Sequence, residues 1–498
     1  MSTLQSIKEH LAETARYESI LSLLHWDQQT YIPAKAHDYR AEQVTTLSGL
    51  IHRRSTDPKL GEWLDEAAEI GDDSIQVAAV IRHAKRDFDR ATKLPAELVE
   101  ELARCTSKAH QVWVESRAAN DFAIFQPMLE QVVSLKQQQA DAIGFDECRY
   151  DALLDEFEPD MRTSEVCPLL ERLRSELVPL VNAIMDSGKT APANILERTY
   201  PVDAQARFGK EAAAAIGFDF QRGRIDVTHH PFCTELGPHD CRILTRYDEK
   251  FFSSAFFGTL HEAGHGMYQQ GLPADWYGTG PGKYVSLGVH ESQSRLWENQ
   301  VGRSRAFWQH FFSIANSYFP TALDGVSLDD WYWAVNDVRP SLIRVEADEA
   351  TYNLHIIVRF EIEQELIDGS LAACDAPDAW NARYEKYLGI TPDSDANGIL
   401  QDVHWSEGLF GYFPTYSLGN LYSAQLFEKA NEELGSLEEQ FSAGEFTPLL
   451  KWLQDNVHGK GSCYSAKELV ERATGTALSH DALMRHLADK LNPLYRID

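Results

Sequence analysis

The stretch His261-Glu262-Ala263-Gly264-His265 fits the pattern H-E-x-x-H, in which three residues separate two histidines. On an α-helix, residues four apart lie on one face, so both imidazoles can bind the same metal ion. Glu262 follows the first histidine, and from there its carboxylate can take a proton from a water that the metal activates. The pattern therefore predicts a metal site with His261 and His265 as ligands and Glu262 as the general base.

The flanking residues favour a helix around this pattern. Residues 251–260 are largely apolar, and Gly271 and Pro273 follow where such a helix should end. The alternative is a chance match, because short patterns of this kind also occur in proteins that bind no metal. The rest of the chain favours the metal site.

A site with two histidines needs a third protein ligand, and a second predicted helix, residues 290–299, offers two glutamates. Glu291 lies 26 positions after His265, and Glu298 lies two turns further along the same face. We prefer Glu291 because it lies in the first turn, which leaves Glu298 to support the ligands. The alternative for both is ordinary surface pairing with Arg295.

Residues 217–247 differ from the helical sequence around them. Alternating apolar and polar residues at 223–228 and again at 241–245, with Pro and Gly between, predict a short hairpin or small sheet just before the metal helix. An extended peptide could add a strand to such an edge. His229, His230 and His239 lie in this region, but a site that already has two histidines makes each of them a weaker candidate for a metal ligand.

Two later stretches could bind a substrate. Residues 339–360 are predicted to form one long helix, with Arg344 near its start. A buried arginine can bind a peptide's terminal carboxylate, although pairing with nearby acids is an equal alternative. In residues 398–422, His404 and Tyr416 lie among glycines and aromatic residues, where they could donate to a developing oxyanion. The alternative there is an aromatic-rich core loop.

The remaining chain is predicted to be mostly helical. Residues 3–145 show helical spacing of apolar residues, with a first helix ending near residues 25–27 and a break at Pro127. Residues 145–163 are acidic and predicted to be a loop-rich connection. A capping box beginning at Ser465 predicts a late helix that ends at Gly475.

Composition narrows the class of protein. The 498 residues carry a formal net charge of −30, which argues against nucleic acid or an anionic membrane as a partner. We expect no secretory signal, no membrane span and a cytoplasmic location. Seven scattered cysteines without a C-x-x-C pattern are expected to be reduced thiols.

Several separated motifs resemble those of one family, the carboxypeptidase Taq family of thermostable metallocarboxypeptidases. The resemblance covers nearly the whole chain, and its motifs are His230-Pro231-Phe232, Asp240-Cys241-Arg242, His261 to His265, His290-Glu291-Ser292, Arg344 within IRVEADEATYN, and residues 398–405, GILQDVHW. Together these motifs are far more specific than H-E-x-x-H alone.

The resemblance implies a mainly α, neurolysin-like (zincin-like) fold with two helical lobes, a deep cleft and a small β element. Because no linker or low-complexity stretch interrupts the chain, we expect one domain over residues 1–498, with a helical N-terminal lobe at about 1–200, a metal-site region at about 217–422 and a helical C-terminal part at about 423–498. The resemblance also implies a homodimer. The ligands would be His261, His265 and Glu291, holding one Zn²⁺ per chain, although Co²⁺ and Mn²⁺ suit the same set.

For the substrate, the resemblance implies that five residues line the cleft and bind the terminal carboxylate or the oxyanion: His230, Arg242, Arg344, His404 and Tyr416. One departure stands out, because Leu244 occupies the fifth position of the family's D-x-R-x-T motif, and Thr245 follows it. We expect this change to alter substrate length or residue preference without abolishing activity.

The hypothesis from sequence is a metal-dependent carboxypeptidase that releases single C-terminal residues from peptides with broad specificity. A related endo-oligopeptidase or dipeptidyl carboxypeptidase is the alternative enzyme. A helical binding protein with a relic metal site is the alternative outside enzymes, and the intact set of His261, Glu262, His265 and Glu291 argues against it.

Overall fold

The computed structural model describes residues 2–70 and 74–497, and the chain is mainly helical, as predicted. The helices before the sheet are α1 (Thr3–Thr30), α2 (His37–Ser55), α3 (Pro58–Ile70), α4 (Ile75–Lys93), α5 (Ala96–Ala119), α6 (Phe122–Ile143), α7 (Arg149–Phe157), α8 (Thr163–Asp186) and α9 (Val202–Ile216). The strands are β1 (Gly223–Val227), β2 (Cys233–Glu235) and β3 (Cys241–Thr245). The helices after the sheet are α10 (Phe252–Gly271), α11 (Leu287–Arg295), α12 (Arg305–Tyr318), α13 (Leu328–Val335), α14 (Tyr352–Asp368), α15 (Ala376–Leu388), α16 (Pro414–Leu434), α17 (Leu437–Ser442), α18 (Thr447–Asn456), α19 (Ala466–Thr474) and α20 (Asp481–Tyr495).

The chain forms two compact units, each built from segments that are distant in sequence. Unit 1 comprises Met1–Thr92, Pro192–Val335 and Tyr422–Leu478, and it contains the sheet, α10 and α11. Unit 2 comprises Lys93–Ala191, Asn336–Leu421 and Ser479–Asp498. The single-domain organisation expected from sequence, with its three regions, stays a prediction.

The predicted β element is a three-stranded sheet in unit 1. Its central strand, β3, pairs in parallel with β1 and antiparallel with β2. Because side chains alternate along a strand, β3 presents different residues to its two sides. Thr245 donates to the carbonyl of Ala255 on α10, whereas the guanidinium carbon of Arg242 lies 4.1 Å from the centre of the Trp26 ring on α1. The sheet is therefore packed between α10 and α1.

Buried aromatic side chains anchor α10 within unit 1. Phe252 and Phe256 on α10 stack with ring centres 5.1 Å apart, and Phe208 on α9 stacks on Phe256 at 5.0 Å. Trp308 on α12 closes the cluster, with its ring centre 5.3 Å from that of Phe256. All four are almost fully buried. Burying one such side chain contributes roughly 1.5–3 kcal/mol, so the cluster fixes the helix that carries H-E-x-x-H.

Three local predictions in the helical part were wrong. The first helix does not end near residues 25–27 but continues to Thr30. Pro127 lies inside α6, where the long buried face of the helix outweighs the one hydrogen bond that a proline removes. The acidic connection at 145–163 contains α7, which starts where Asp151 accepts from the backbone N–H of Cys148.

The prediction of one long helix over residues 339–360 was also wrong for the residues before Tyr352. The helix α14 begins only at Tyr352, and Arg344 lies in a single 3₁₀ turn, Arg344–Glu346. Asp348 explains the late start, because its carboxylate accepts from the backbone N–H groups of Ala350 and Thr351 at 3.0 and 2.9 Å. An aspartate that binds these amides stabilises a helix start at this point and not a helix interior.

The late helix after Ser465 is confirmed, with both hydrogen bonds of the capping box present and Gly475 in the left-handed region just after Thr474. All seven cysteines are free thiols. Across the described residues, every helix is too short or too polar to cross a membrane.

Candidate metal centre

The three predicted ligands come together in unit 1. His261 and His265 lie one turn apart on α10, and Glu291 lies on α11. The Oε2 atom of Glu291 is 3.6 Å from Nε2 of His261 and 3.4 Å from Nε2 of His265, and the three ligand atoms all lie within 4.8 Å of one another. Tetrahedral bonds of about 2.1 Å place two ligand atoms about 3.4 Å apart. The set therefore fits a divalent ion with two nitrogen ligands and one oxygen ligand.

Each imidazole is oriented through its other nitrogen. Nδ1 of His261 lies 2.9 Å from Oε2 of Glu298, and Nδ1 of His265 lies 3.0 Å from the carbonyl oxygen of His290. Since both oxygens accept, Nδ1 of each ring donates and Nε2 keeps the lone pair that binds a metal. The carbonyl of His290 was not foreseen, because a backbone group leaves no mark in the sequence.

Arg295 and Arg303 bind the two glutamates of this site, Glu291 and Glu298. The side chain of Arg295 donates to Glu291 at 2.7 Å and to Glu298 at 3.3 Å, and Arg303 donates to Glu298 at 3.4 Å. Burial alone would raise the pKa of Glu298, but the two arginines and His261 lower it to about 2. Glu298 is therefore ionised and can stabilise positive charge on His261.

Gly264 allows the two ligand helices to approach closely. A Cβ atom at this position would lie 2.5 Å from the carbonyl oxygen of Gln293 and 2.7 Å from Cα of Ser294, both in the backbone of α11. Such distances are far below van der Waals contact, so any side chain here would push α11, and with it Glu291, away from α10.

Glu262 is buried and free to act on a water. One of its carboxylate oxygens has no hydrogen-bond partner among the residues that the structure describes. Burial raises the pKa of Glu262, while the positive charge that the two neighbouring histidines can carry opposes this shift. A carboxylate with a raised pKa and an unpartnered oxygen is suited to accept a proton.

Two of the predicted substrate residues, His230 and Arg242, lie in unit 1. His230 is exposed in the loop between β1 and β2. Arg242 forms two hydrogen bonds with Asp240, at 3.0 and 2.9 Å, on the face of the sheet that packs toward Trp26. Leu244 is fully buried. Its neighbour Thr245 faces α10 and so cannot present its hydroxyl on the side of Arg242.

The other three predicted substrate residues come together in unit 2. Nε2 of His404 lies 3.4 Å from the hydroxyl of Tyr416, and the guanidinium of Arg344 lies 5.1 Å from the centre of the Tyr416 ring. Arg344 is buried and donates from Nε and Nη2 to Asp402, at 2.9 and 2.8 Å. Asp402 was not singled out as a site residue, although it precedes His404 by two positions in the QDVHW motif.

Burial and the neighbouring charges together set the protonation of His404 and Asp402. Burial lowers the pKa of His404 to about 4. The charge of Asp402 opposes this shift, and the charges of Arg344 and Arg359 add to it. Burial would raise the pKa of Asp402, but the same two arginines hold it far below its usual range. Near neutral pH His404 is therefore neutral and Asp402 is ionised.

Comparison with known proteins identifies the family to which this chain belongs. The family model described as carboxypeptidase Taq (M32) metallopeptidase matches residues 6–491. The chain belongs to this family. It is 47% identical to thermostable carboxypeptidase 1 of Thermus thermophilus, over 99% of this chain and 98% of that protein, and 38% identical to carboxypeptidase 1 of Bacillus subtilis, over 97% of each.

Solved structures of M32 carboxypeptidases have the same fold. The crystal structure of the M32 carboxypeptidase from Deinococcus radiodurans R1 matches with a TM-score of 0.97 and 43% identity, covering 100% of both chains. Trypanosoma cruzi metallocarboxypeptidase 1 matches with a TM-score of 0.94 and 34% identity, covering 98% of this chain and 99% of that one. The protein is therefore a metallocarboxypeptidase, a hydrolase of peptide bonds, and the resemblance identified from sequence is confirmed.

Proposed function

We propose that this metallocarboxypeptidase releases single residues from the free C-termini of peptides, with broad specificity. The observation that carries the proposal is the set of His261, His265 and Glu291 beside the buried Glu262, one carboxylate oxygen of which has no hydrogen-bond partner among the described residues. Family membership supports C-terminal action, and the donor set supports a metal-dependent reaction.

The three ligands would hold one Zn²⁺ ion per chain, and Co²⁺ or Mn²⁺ suits the same donors. A divalent ion bound there would supply Lewis acidity, which polarises a peptide carbonyl and acidifies water. The arrangement of His261 and His265 favours this role, since their Nδ1 atoms donate to fixed oxygens and their Nε2 atoms remain available.

Glu262 acts as general base and then as general acid. Its unpartnered oxygen accepts the proton of the attacking water, and the protonated carboxyl then donates to the nitrogen of the leaving residue. Burial supports both steps, because it raises the pKa of Glu262 above that of an exposed glutamate and brings the protonated form within reach.

Substrate binding is assigned to the residues of the family motifs. Arg344 binds the terminal carboxylate, since its guanidinium is buried and charged. His404 and Tyr416, which lie beside each other, donate to the oxyanion as it develops. His230 and Arg242 complete the proposed set, with Arg242 held in place by Asp240.

The enzyme is further proposed to be a cytoplasmic homodimer that acts on peptides. The alternative activity is that of an endo-oligopeptidase or a dipeptidyl carboxypeptidase. Peptides with an amidated C-terminus separate these activities, because an endopeptidase cleaves them and an enzyme that requires a free carboxylate does not.

The variant Glu262→Gln tests the assignment of the base. We expect a kcat lower by roughly 10²–10⁴-fold, the usual contribution of a positioned general base, with the bound zinc content unchanged. The control is Glu249→Gln at an exposed position, which should retain wild-type kcat. Turnover by Glu262→Gln at the wild-type rate would show that another group takes the proton.

A further inference from the structure

Arg359 on α14 is joined to Arg344 through a shared carboxylate. The Oδ1 atom of Asp402 accepts from Arg344, and its Oδ2 atom accepts from Nε of Arg359 at 2.6 Å. Arg359 is fully buried, and its Nη1 donates to the carbonyl of His355 at 2.7 Å. Its guanidinium also lies 4.3 Å from the centre of the Trp380 ring. Arg359 is thus rigidly held, and through Asp402 it holds the guanidinium of Arg344.

A second route links Arg359 to the backbone of Arg344. Nη1 of Arg359 lies 3.3 Å from the hydroxyl of Tyr384, and that hydroxyl accepts from the side-chain amide of Gln401 at 3.2 Å. The amide oxygen of Gln401 in turn accepts from the backbone N–H of Arg344 at 2.9 Å. Arg359 is therefore linked to both the side chain and the backbone of Arg344, through Asp402 and through Tyr384 and Gln401.

The charges in this network do not balance. Two arginines share one carboxylate, and the nearby His404 is neutral near pH 7. Within the described residues, Arg344 uses three of its five N–H donors, two for Asp402 and one for the hydroxyl of Tyr352. One buried positive charge and two N–H groups of Arg344 remain for an anion.

We propose that Arg359 is a positioning residue that orients Arg344 through Asp402 and keeps the cluster positively charged, so that Arg344 binds the terminal carboxylate of the peptide. This inference rests on the proposed function, which makes a free C-terminus the recognised group. If Asp402 were paired with Arg344 alone, the two charges would cancel, and a carboxylate would gain little from entering. Arg359 neutralises Asp402 and leaves the charge of Arg344 for the substrate.

The test compares Arg359→Gln and Arg359→Lys with the wild-type enzyme. Inhibition by N-acetyl-phenylalanine, which carries the carboxylate, is compared with inhibition by its amide, which does not. The wild type should bind the acid at least about tenfold more tightly than the amide, as expected for a charge-assisted bond. In Arg359→Gln this preference should fall to about threefold or less, with KM for a peptide rising about tenfold and kcat changing less than about threefold.

The variant Arg359→Lys separates the effect of the positive charge from that of the planar guanidinium group. Lysine keeps the charge but not the planar fork, so Arg359→Lys should retain a carboxylate preference between those of the wild type and Arg359→Gln. The matched control is Arg383→Gln, which removes another ion-paired arginine that contacts α14, through Glu361 and Glu365, and should leave the preference unchanged. If Arg359→Gln does not fold, the preference of Arg359→Lys decides, and a wild-type ratio there contradicts the proposal.

The experiment distinguishes a failure of the proposed function from a failure of the proposed role of Arg359. A wild-type enzyme that binds the acid and the amide equally would overturn the recognition of a free C-terminus, and with it the proposed function. A wild-type enzyme that prefers the acid, together with an Arg359→Gln variant that keeps this preference or loses only kcat, would overturn the role of Arg359 alone.

Discussion

Glu298 accepts a hydrogen bond from His261, with 2.9 Å between its Oε2 atom and Nδ1 of the histidine. Because this bond fixes the ring and makes Nε2 a better ligand, we expect Glu298→Gln to bind zinc about 10–100-fold more weakly. Competition with a chelator of known affinity measures the change. The exposed Glu432→Gln serves as a control that should bind zinc as the wild type does. An unchanged affinity in Glu298→Gln would show that this bond does not support the metal.

Gly264 and Gly258 lie on the same helix, α10, but in different surroundings. A Cβ atom at Gly264 would collide with the backbone of α11, whereas one at Gly258 would meet nothing within 4 Å. We expect Gly264→Ala to lower both zinc affinity and Tm, because α11 carries Glu291. Gly258→Ala should raise stability by up to about 1 kcal/mol, since alanine is the better helix former. Equal effects of the two substitutions on Tm and zinc binding would contradict this account of the helix contact.

Leu244 replaces the threonine of the family motif at a fully buried position. The substitution Leu244→Thr removes apolar contacts and buries a hydroxyl, so we expect a loss of about 2–4 kcal/mol in the free energy of unfolding. Because the side chain does not reach solvent, we expect the preference for C-terminal residues to stay as in the wild type. Urea denaturation and a panel of peptides that differ in their last residue measure the two effects. A changed preference would instead support the effect expected from sequence.

His458 is buried in unit 1, and its Nε2 donates to the amide oxygen of Gln293 at 2.9 Å. Burial lowers its pKa from 6.5 to about 3, so between these values the unfolded chain binds a proton that the folded protein does not. Because of this group, the free energy of unfolding falls as the pH drops below 6.5, by at most about 1.4 kcal/mol per pH unit, whereas above pH 6.5 it is unaffected. We expect His458→Gln to show a shallower loss of unfolding free energy between pH 7 and pH 5.

The control for this pH dependence is His110→Gln, which replaces a histidine whose side chain is 48% exposed. Urea denaturation at pH 7, 6 and 5 gives the slope for each protein. A slope in His458→Gln equal to that of the wild type would show that His458 titrates normally in the folded state.

The sequence predicted the helical class, the small sheet and the convergence of His261 with His265 because each rests on local spacing. The choice of Glu291, 26 positions after His265, rested instead on its place in a second predicted helix. Helical periodicity identifies α10, and two residues of H-E-x-x-H on one face bring the imidazoles together whatever the tertiary structure. The predicted helix break at Pro127 was wrong, because the packing of α6 outweighs the local cost of a proline, and no local sequence pattern shows that packing. The late start of α14 at Tyr352 was not predicted either, because the sequence does not distinguish Asp348, which binds backbone amides, from the other acidic residues around it.

The supporting interactions were harder to predict, because they join residues far apart in the chain. Asp402 and Arg359 are separated by 43 positions, and their pairing depends on the packing of unit 2. The crowding at Gly264 involves the backbone of α11, which only the folded structure brings near. The family motifs predicted a substrate role for Arg242, and only the structure shows that Arg242 pairs with Asp240 and that Leu244 is buried.

Mass spectrometry of peptide products tests the central claim most directly. A set of peptides is incubated with the zinc-loaded enzyme, each with a free and with an amidated C-terminus, and a chelator-treated enzyme is run beside it. We predict a ladder of single-residue losses from the free C-termini, no cleavage of the amidated peptides, and no products after chelation. Internal cleavage, or losses of two residues at a time, would contradict the proposed activity.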